Sequence, residues 1–307
     1  MIEAFARTEL PFSGSEARSQ KGFDRVIVSV EVFVMKERDL ADGRAGEEYV
    51  HGYAIAEQER LVRQAEHWRD ELILAGTTLP PGTRLLEVGC GVGAVLGILG
   101  KAFPGIVLAG VDVEARQLEA ARVHLARLGL DADLRQADAL KLPWSDASFD
   151  HVWMMWFLEH LADPVAALRE ARRVLVPGGM LTAIEVDYST IWSSPTSEAL
   201  KALFVAVANT MEGAGRSDAG SRLPGWLAEA RFTSVDPGEI RLAYAGKDLA
   251  RQIPYVAGVV ESTLPGLAQA DGASGLQLEA GFAELRALSE PPNAMLGWVV
   301  HKAKAIH

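Results

Sequence analysis

An apolar run that ends in three closely spaced glycines, Leu85-Leu86-Glu87-Val88-Gly89-Cys90-Gly91-Val92-Gly93, constrains this chain more than any other feature. A strand that turns at once into an amphipathic helix needs residues without a β-carbon at the turn. The bare backbone it exposes then lies at the positive end of that helix, where a ligand can touch it. The downstream sequence repeats the alternation. Strands are predicted at 84–88, 107–112, 133–137, 151–155 and 180–186, separated by helices near 94–103, 115–128 and 164–174. This pattern predicts a parallel sheet covered on both faces. Asp163 is placed to cap the last of these helices and Pro164 fits its first turn, while Pro177-Gly178-Gly179 ends it.

The flanks divide the chain further. Residues 1–45 read as a polar arm and 46–79 as a helical cap, because Ile55, Leu61, Val62, Ala65, Trp68 and Leu72 fall at helical spacing. Residues 80–187 form the core, and 188–307 complete it with a lid over about 249–288. In this last part, 197–211 and 223–230 are expected as helices and 232–244 and 294–301 as strands. The lid is expected as helices broken by Pro254, Pro265 and Gly272. The resulting expectation is an α/β, doubly wound, mostly parallel seven-stranded sheet with an N-terminal helical cap and a helical insertion before the last strand.

Composition narrows the partner. Thirty basic residues against 41 acidic ones give a net charge of −11, which disfavours nucleic acid and anionic membrane and leaves a small molecule as the expected partner. The lone cysteine, Cys90, has no disulfide partner within the chain, and no Cys/His spacing fits zinc, so no metal is expected. Residues 26–35 are too short to span a bilayer and include Glu31, and the polar stretch before them lacks the basic start of a signal peptide. A cytoplasmic protein, with a homo-oligomer left open, is the expectation.

Gly89, Gly91 and Ala94 also satisfy the dinucleotide fingerprint, so a nicotinamide-dependent oxidoreductase stays in view. Charge argues against it. Glu87 precedes the loop, and like charges ~4 Å apart repel by an amount on the order of 4 kcal/mol at an effective dielectric near 20. A cofactor carrying a sulfonium and an ammonium is favoured by the same carboxylate. Asp112, about twenty residues on, suits the ribose hydroxyls of either cofactor. Asp138, after the third strand, is placed to reach an adenine edge or to cap its own turn.

Residues 80–187 resemble the class I S-adenosylmethionine-dependent methyltransferases of the UbiE-like "methyltransferase domain" group. The resemblance rests on Leu-Glu-Val-Gly-Cys-Gly-Val-Gly (86–93), Gly-Val-Asp-Val (110–113), Ala-Asp-Ala-Leu (137–140), Ser-Phe-Asp-His-Val (148–152), Leu-Glu-His-Leu (158–161) and Val-Leu-Val-Pro-Gly-Gly (174–179). Each motif is common alone; six in this order and spacing are not. The resemblance implies a Rossmann-like fold and S-adenosylmethionine, converted to S-adenosylhomocysteine. It also implies that Gly89 and Gly91 line the methionyl part, supported by Glu87, with Cys90 and Gly93 also binding the cofactor. Asp112 would hold the ribose, Val113 would lie against the adenine, and Asp138 with Ala139 would border its amino group. Met155, Trp156 and Phe157 would form the pocket floor.

Methyl transfer by in-line displacement disperses charge, so a dry site that aligns the reactants suits it. Aromatic faces fit this need, and Tyr188 and Trp192, beyond the fifth strand, are the substrate-side candidates. A hydroxyl, amine or carbon acceptor can require a base; Glu159 and His160 stand just after the fourth strand for that role, with a turn residue bonded to nearby backbone as the alternative for His160. Glu185 and Asp187 share a strand face by period two, and Glu185 is the substrate-side candidate of the two, with a salt bridge to Arg216 or Arg222 as the alternative. Tyr53, with His51 and Gln64, is placed to fold across the cofactor as a flap. A module that binds the cofactor without chemistry remains the other reading.

Overall fold

The computed structural model describes residues 55–214, 216–267 and 275–307, so Tyr53 and His51 lie outside the described residues. The chain enters through helix α1 (Ile55–His67), whose last turn runs into a π-helical turn at Arg69–Leu74. Alternating elements follow: β1 (Arg84–Val88), α2 (Ala94–Ala102), β2 (Val107–Asp112), α3 (Ala115–Arg127), β3 (Ala132–Gln136), β4 (Phe149–Met155), α4 (Pro164–Val174) and β5 (Leu175–Ser194). The remainder comprises α5 (Glu198–Ala214), α6 (Ala219–Glu229), β6 (Thr233–Asp236), β7 (Glu239–Ala245), α7 (Gly246–Leu267), α8 (Gly275–Ala287) and β8 (Met295–Ile306). Among the described residues no helix is long and apolar enough to cross a membrane.

β1 to β5 pair in parallel in the order 3-2-1-4-5, and β8 runs antiparallel beside β5. The central strands are apolar on both faces. Leu85 and Trp153 join one core cluster and Leu86, Val152 and Met154 the other, as the two-residue period of a pleated strand requires. α4 begins as its sequence predicts, with Asp163 Oδ1 accepting from the Ala166 N–H at 2.9 Å and Pro164 in the first turn.

Among the described residues the sheet has eight strands, not seven. The stretch expected as one strand over 232–244 is split at Pro237-Gly238, where Gly238 has φ of +53° and its missing β-carbon would fall 1.9 Å from the Lys302 carbonyl oxygen. Both pieces, β6 and β7, pair with β8 on either side of that kink. β5 also outlasts its expected end at 186. After an irregularity between Asp187 and Trp192, residues 192–194 pair again with 295–297, and such a bulge re-aims the side chains it contains. Nor does Pro254 break the lid: α7 runs through it. Leu249, Ile253, Ala257 and Val260 form its buried stripe, and burying such side chains at roughly 1.5–3 kcal/mol each outweighs an internal proline's cost of about 3 kcal/mol.

His151, at the start of β4, is buried with Nε2 2.9 Å from the Thr182 hydroxyl. Burial, reinforced by Lys304 and Lys302, lowers its pKa to about 4. The unfolded chain therefore takes up this proton first as pH falls. Stability should drop between about pH 6.5 and 4, by as much as about 3 kcal/mol from this residue. Denaturant titrations at both ends of that window should show His151→Gln losing less stability on acidification than the native chain; equal losses would remove His151 from the acid sensitivity.

Candidate functional site

The strand order reverses direction around β1, with β2 on one side and β4 on the other, so the crevice outside their carboxyl ends is a topological switch point. The glycine loop lies there. Gly89, Gly91 and Gly93 have φ of +71°, +48° and +70°, conformations that the sequence meets by using glycine. The loop is tied to β2, whose Val111 carbonyl accepts from the N–H groups of Gly89 at 2.9 Å and Cys90 at 3.0 Å. Asp112, at the end of β2, completes the tie: Oδ2 accepts from Gly91 N–H at 2.8 Å and Oδ1 from Glu114 N–H at 2.9 Å. A β-carbon on Gly91 would meet nothing within 4 Å, whereas one on Gly89 would fall 2.2 Å from the Phe157 ring. The loop thus presents an open cradle at Gly91 and an aromatic wall at Gly89.

Glu87 is buried below this loop and its Oε2 accepts from Leu96 N–H in the first turn of α2 at 3.2 Å. Burial pushes its carboxyl well above the usual range, against the Leu96 hydrogen bond and with help from the charge of Asp112. Burial likewise raises Asp112, opposed by the N–H groups of Glu114 and Gly91. The Cys90 thiol is pushed well up by burial and then by these two acids. The carboxylates are held by backbone N–H groups rather than by a cation, so a positively charged ligand entering the cradle relieves both.

The outer rim is formed by Val113, exposed at 66%, by buried Ala139 and by exposed Asp138. The Asp138 carboxylate accepts from Leu140 N–H at 2.8 Å, the turn-capping arrangement its sequence position allows. Met155 ends β4 as a buried floor residue. Trp156 then takes φ of +49°, and its N–H donates to the Ile184 carbonyl at 2.8 Å. A left-handed tryptophan costs about 1–2 kcal/mol, a strain typical of functional loops. It turns the chain so that Phe157 covers Gly89 and the next residues fold into a short 3-10 turn, Leu158–His160.

Glu159 in that turn is 2% exposed, with Oε1 3.5 Å from the Tyr188 hydroxyl and 3.6 Å from His160 Nε2. Glu185 accepts from the N–H groups of Phe157 at 3.0 Å and Leu158 at 2.8 Å. Its partners are therefore backbone groups, not the arginines considered as alternatives. Asp187, two residues on, accepts from Ser189 N–H and hydroxyl within the β5 bulge. That bulge carries Tyr188 to Glu159. Trp192 lies farther out, 42% exposed, against the backbone of Gly297.

Tyr255 of α7 escapes a sequence reading. It stacks on His67 at 4.4 Å between ring centroids and meets Trp68 edge-on at 5.3 Å, and Trp68 in turn faces Trp156 at 6.5 Å. His67 Nε2 also lies 2.7 Å from Gln252 Oε1. These contacts clasp the lid helix to the end of α1, and no local motif signals them because their partners lie some 185 residues apart. At the other end of α1, Gln58 reaches the Arg116 carbonyl at 3.4 Å, beside the Asp112 end of β2.

Residues 86–183 match a family model described as a methyltransferase domain. The chain is 36% identical over 146 residues to 27-O-demethylrifamycin SV methyltransferase of Amycolatopsis mediterranei, a match covering 47% of this chain and 53% of that protein. It is 32% identical over 161 residues to demethylmenaquinone methyltransferase of Staphylococcus aureus, covering 50% of this chain and 66% of that protein. The matches thus span between half and about two thirds of these two relatives. In fold, the chain is similar to phosphoethanolamine N-methyltransferase 2 of Haemonchus contortus, solved with phosphomonomethylethanolamine and S-adenosylhomocysteine. The TM-score is 0.51 at 15% identity, over 78% of this chain and 52% of that one.

Proposed function

Since the chain belongs to the class I S-adenosylmethionine-dependent methyltransferases through residues 86–183, we propose that it binds this cofactor in the glycine cradle and methylates a small-molecule acceptor. The observation that carries the reading is the open space at Gly91 beside two acids, buried Glu87 and half-buried Asp112, at the switch point of the sheet. When bound, S-adenosylmethionine supplies a methyl group on a cationic sulfur. The chain's own part is to hold and align. Gly89, Cys90, Gly91 and Gly93 would hold the methionyl part, with Glu87 bracing the loop. Asp112 would take the ribose hydroxyls, and Val113, Asp138 and Ala139 would border the adenine. Met155, Trp156 and Phe157 would wall the reacting end. Tyr188 and Trp192 would contact the acceptor, with Glu159 or His160 receiving its proton where the acceptor carries one. Tyr53 stays a proposed flap, and the cytoplasm the proposed compartment.

The same acids disfavour a pyrophosphate, which distinguishes this reading from a nicotinamide enzyme. Calorimetric titration should show S-adenosylhomocysteine binding with a Kd in the micromolar range, about −8 kcal/mol, and NADH and NADPH not binding. Binding of either dinucleotide instead would overturn the reading. Incubation with methyl-labelled cofactor and a metabolite library should then transfer label; cofactor binding without any transfer would favour a non-catalytic module.

A further inference from the structure

Two carboxylic acids lie buried beneath the loop after β4, and each leaves one oxygen unused. Glu185 has none of its surface exposed; its Oε1 takes the two N–H groups of residues 157 and 158, and its Oε2 has no hydrogen-bond partner. Glu159 likewise leaves Oε2 without a partner, while its Oε1 faces Tyr188. A buried carboxylate oxygen without a donor is costly, and two such groups repel each other if both ionise. Holding one proton between them relieves both penalties, and an incoming N–H or O–H group fills a vacant acceptor.

We infer that Glu159 and Glu185 work as one proton-holding pair, in which Glu159 receives the proton of the methyl acceptor and Glu185 is a positioning residue that sets its readiness to do so. This deepens the methyl-transfer reading and rests on it. As the bond from the acceptor atom to the methyl carbon forms, the carbon–sulfur bond breaks with its electron pair going to sulfur. The acceptor keeps the electron pair of its former bond to hydrogen, and its proton passes to Glu159 while the proton already shared by the pair rests on Glu185. Burial pushes Glu159 well above the usual carboxyl range and the charge of Glu185 pushes it further, against the Tyr188 hydrogen bond. Glu185 is itself pushed up by burial to about 7. His160, lowered by burial to about 4, is the weaker base.

The groups facing the pair come from β5 itself and from three other parts of the fold. Tyr188 lies on the β5 bulge, and His301 on β8 is opposite Glu185. Tyr255 on α7 feels the charge of Glu159. Near α6, Asp218 pairs with Arg222 at 2.7 Å, and the Arg216 N–H donates to the Glu159 carbonyl at 2.8 Å.

The test begins on the full chain without ligand. With glutamate labelled at its side-chain carboxyl carbon, the resonances lost in Glu159→Gln and Glu185→Gln identify the pair in an NMR titration. Both should titrate above the ordinary range near 4.3, and in Glu185→Gln the Glu159 midpoint should fall by about one unit or more. Glu185→Asp, which keeps the charge, should leave it near its native value. Ordinary midpoints, or a Glu159 midpoint that ignores Glu185→Gln, would overturn the pairing. Since this needs neither cofactor nor acceptor, its failure is separate from a failure to bind S-adenosylhomocysteine. With an acceptor from the library, Glu185→Gln should shift the acidic limb of the kcat profile to lower pH at nearly constant KM. Glu159→Gln should cut kcat at least about 100-fold with S-adenosylhomocysteine affinity intact; full turnover in that variant would remove Glu159 as the proton acceptor.

Discussion

Replacing Gly91 with valine is expected to abolish S-adenosylhomocysteine binding, weakening it at least about 100-fold, or about 3 kcal/mol, while the fold persists. Two effects act together. Gly91 sits at φ of +48°, a region that a β-branched residue adopts only under strain, and the new side chain would enter open space that the cofactor is proposed to fill. Because no protein atom beyond its chain neighbours lies within 4 Å of that position, the substitution spares the core. Gly89→Ala is a contrasting control, since its β-carbon would strike the Phe157 ring and disturb the loop itself. Calorimetry, with circular dichroism to verify the fold, reads the outcome. Native affinity in a folded Gly91→Val chain would move the cofactor site elsewhere.

The largest expected loss of stability comes from a residue on the far side of β8. Lys302 is 6% exposed, and its ammonium donates to the carbonyls of Leu72 at 2.7 Å and Ala75 at 2.6 Å and to the Thr77 hydroxyl at 2.9 Å. These carbonyls end the π-helical turn, where helix geometry leaves them without backbone donors. The same nitrogen stands 5.3 Å from the Trp153 ring. Lys302→Met keeps most of the stem but orphans the acceptors, at a cost of about 3 kcal/mol. For a chain of this size that corresponds to a fall in Tm of about 6–12 °C. The segment from Trp68 to Thr77 should also lose protection from hydrogen exchange before the parallel strands do. A loss under about 1 kcal/mol would show that other donors replace the ammonium.

This cap explains how a charged residue comes to lie inside the sheet. Desolvation opposes it and lowers the Lys302 pKa to about 8. Hydrogen bonds to several acceptors offset that cost without a carboxylate partner. The N-terminal helical segment is thereby fastened to the last strand, and the aromatic contacts of Trp68 with Trp298 and Tyr255 continue the same junction toward the proposed pocket.

Local chemistry determined the central architecture from the sequence. Strands β1, β2 and β4 are short, largely apolar runs, and the helices α2 and α3 between the first three strands carry their own period in consecutive residues. Asp163 with Pro164 marked a helix start, and the glycines of 89–93 marked a turn that only positive φ can make. The positions of Glu87 and Asp112 were legible for the same reason, since both stand at strand ends beside that turn. Tertiary structure decided the rest, because the forces involved act between residues distant in the chain. The division of 232–244 depends on Gly238 meeting Lys302, the continuation of β5 on re-pairing with 295–297, and the unbroken path of α7 on what its buried stripe packs against. The pairing of Glu159 with Glu185 is of this kind. A carboxyl's burial and its neighbour's charge are properties of the folded interior, and spacing along a chain carries no record of them.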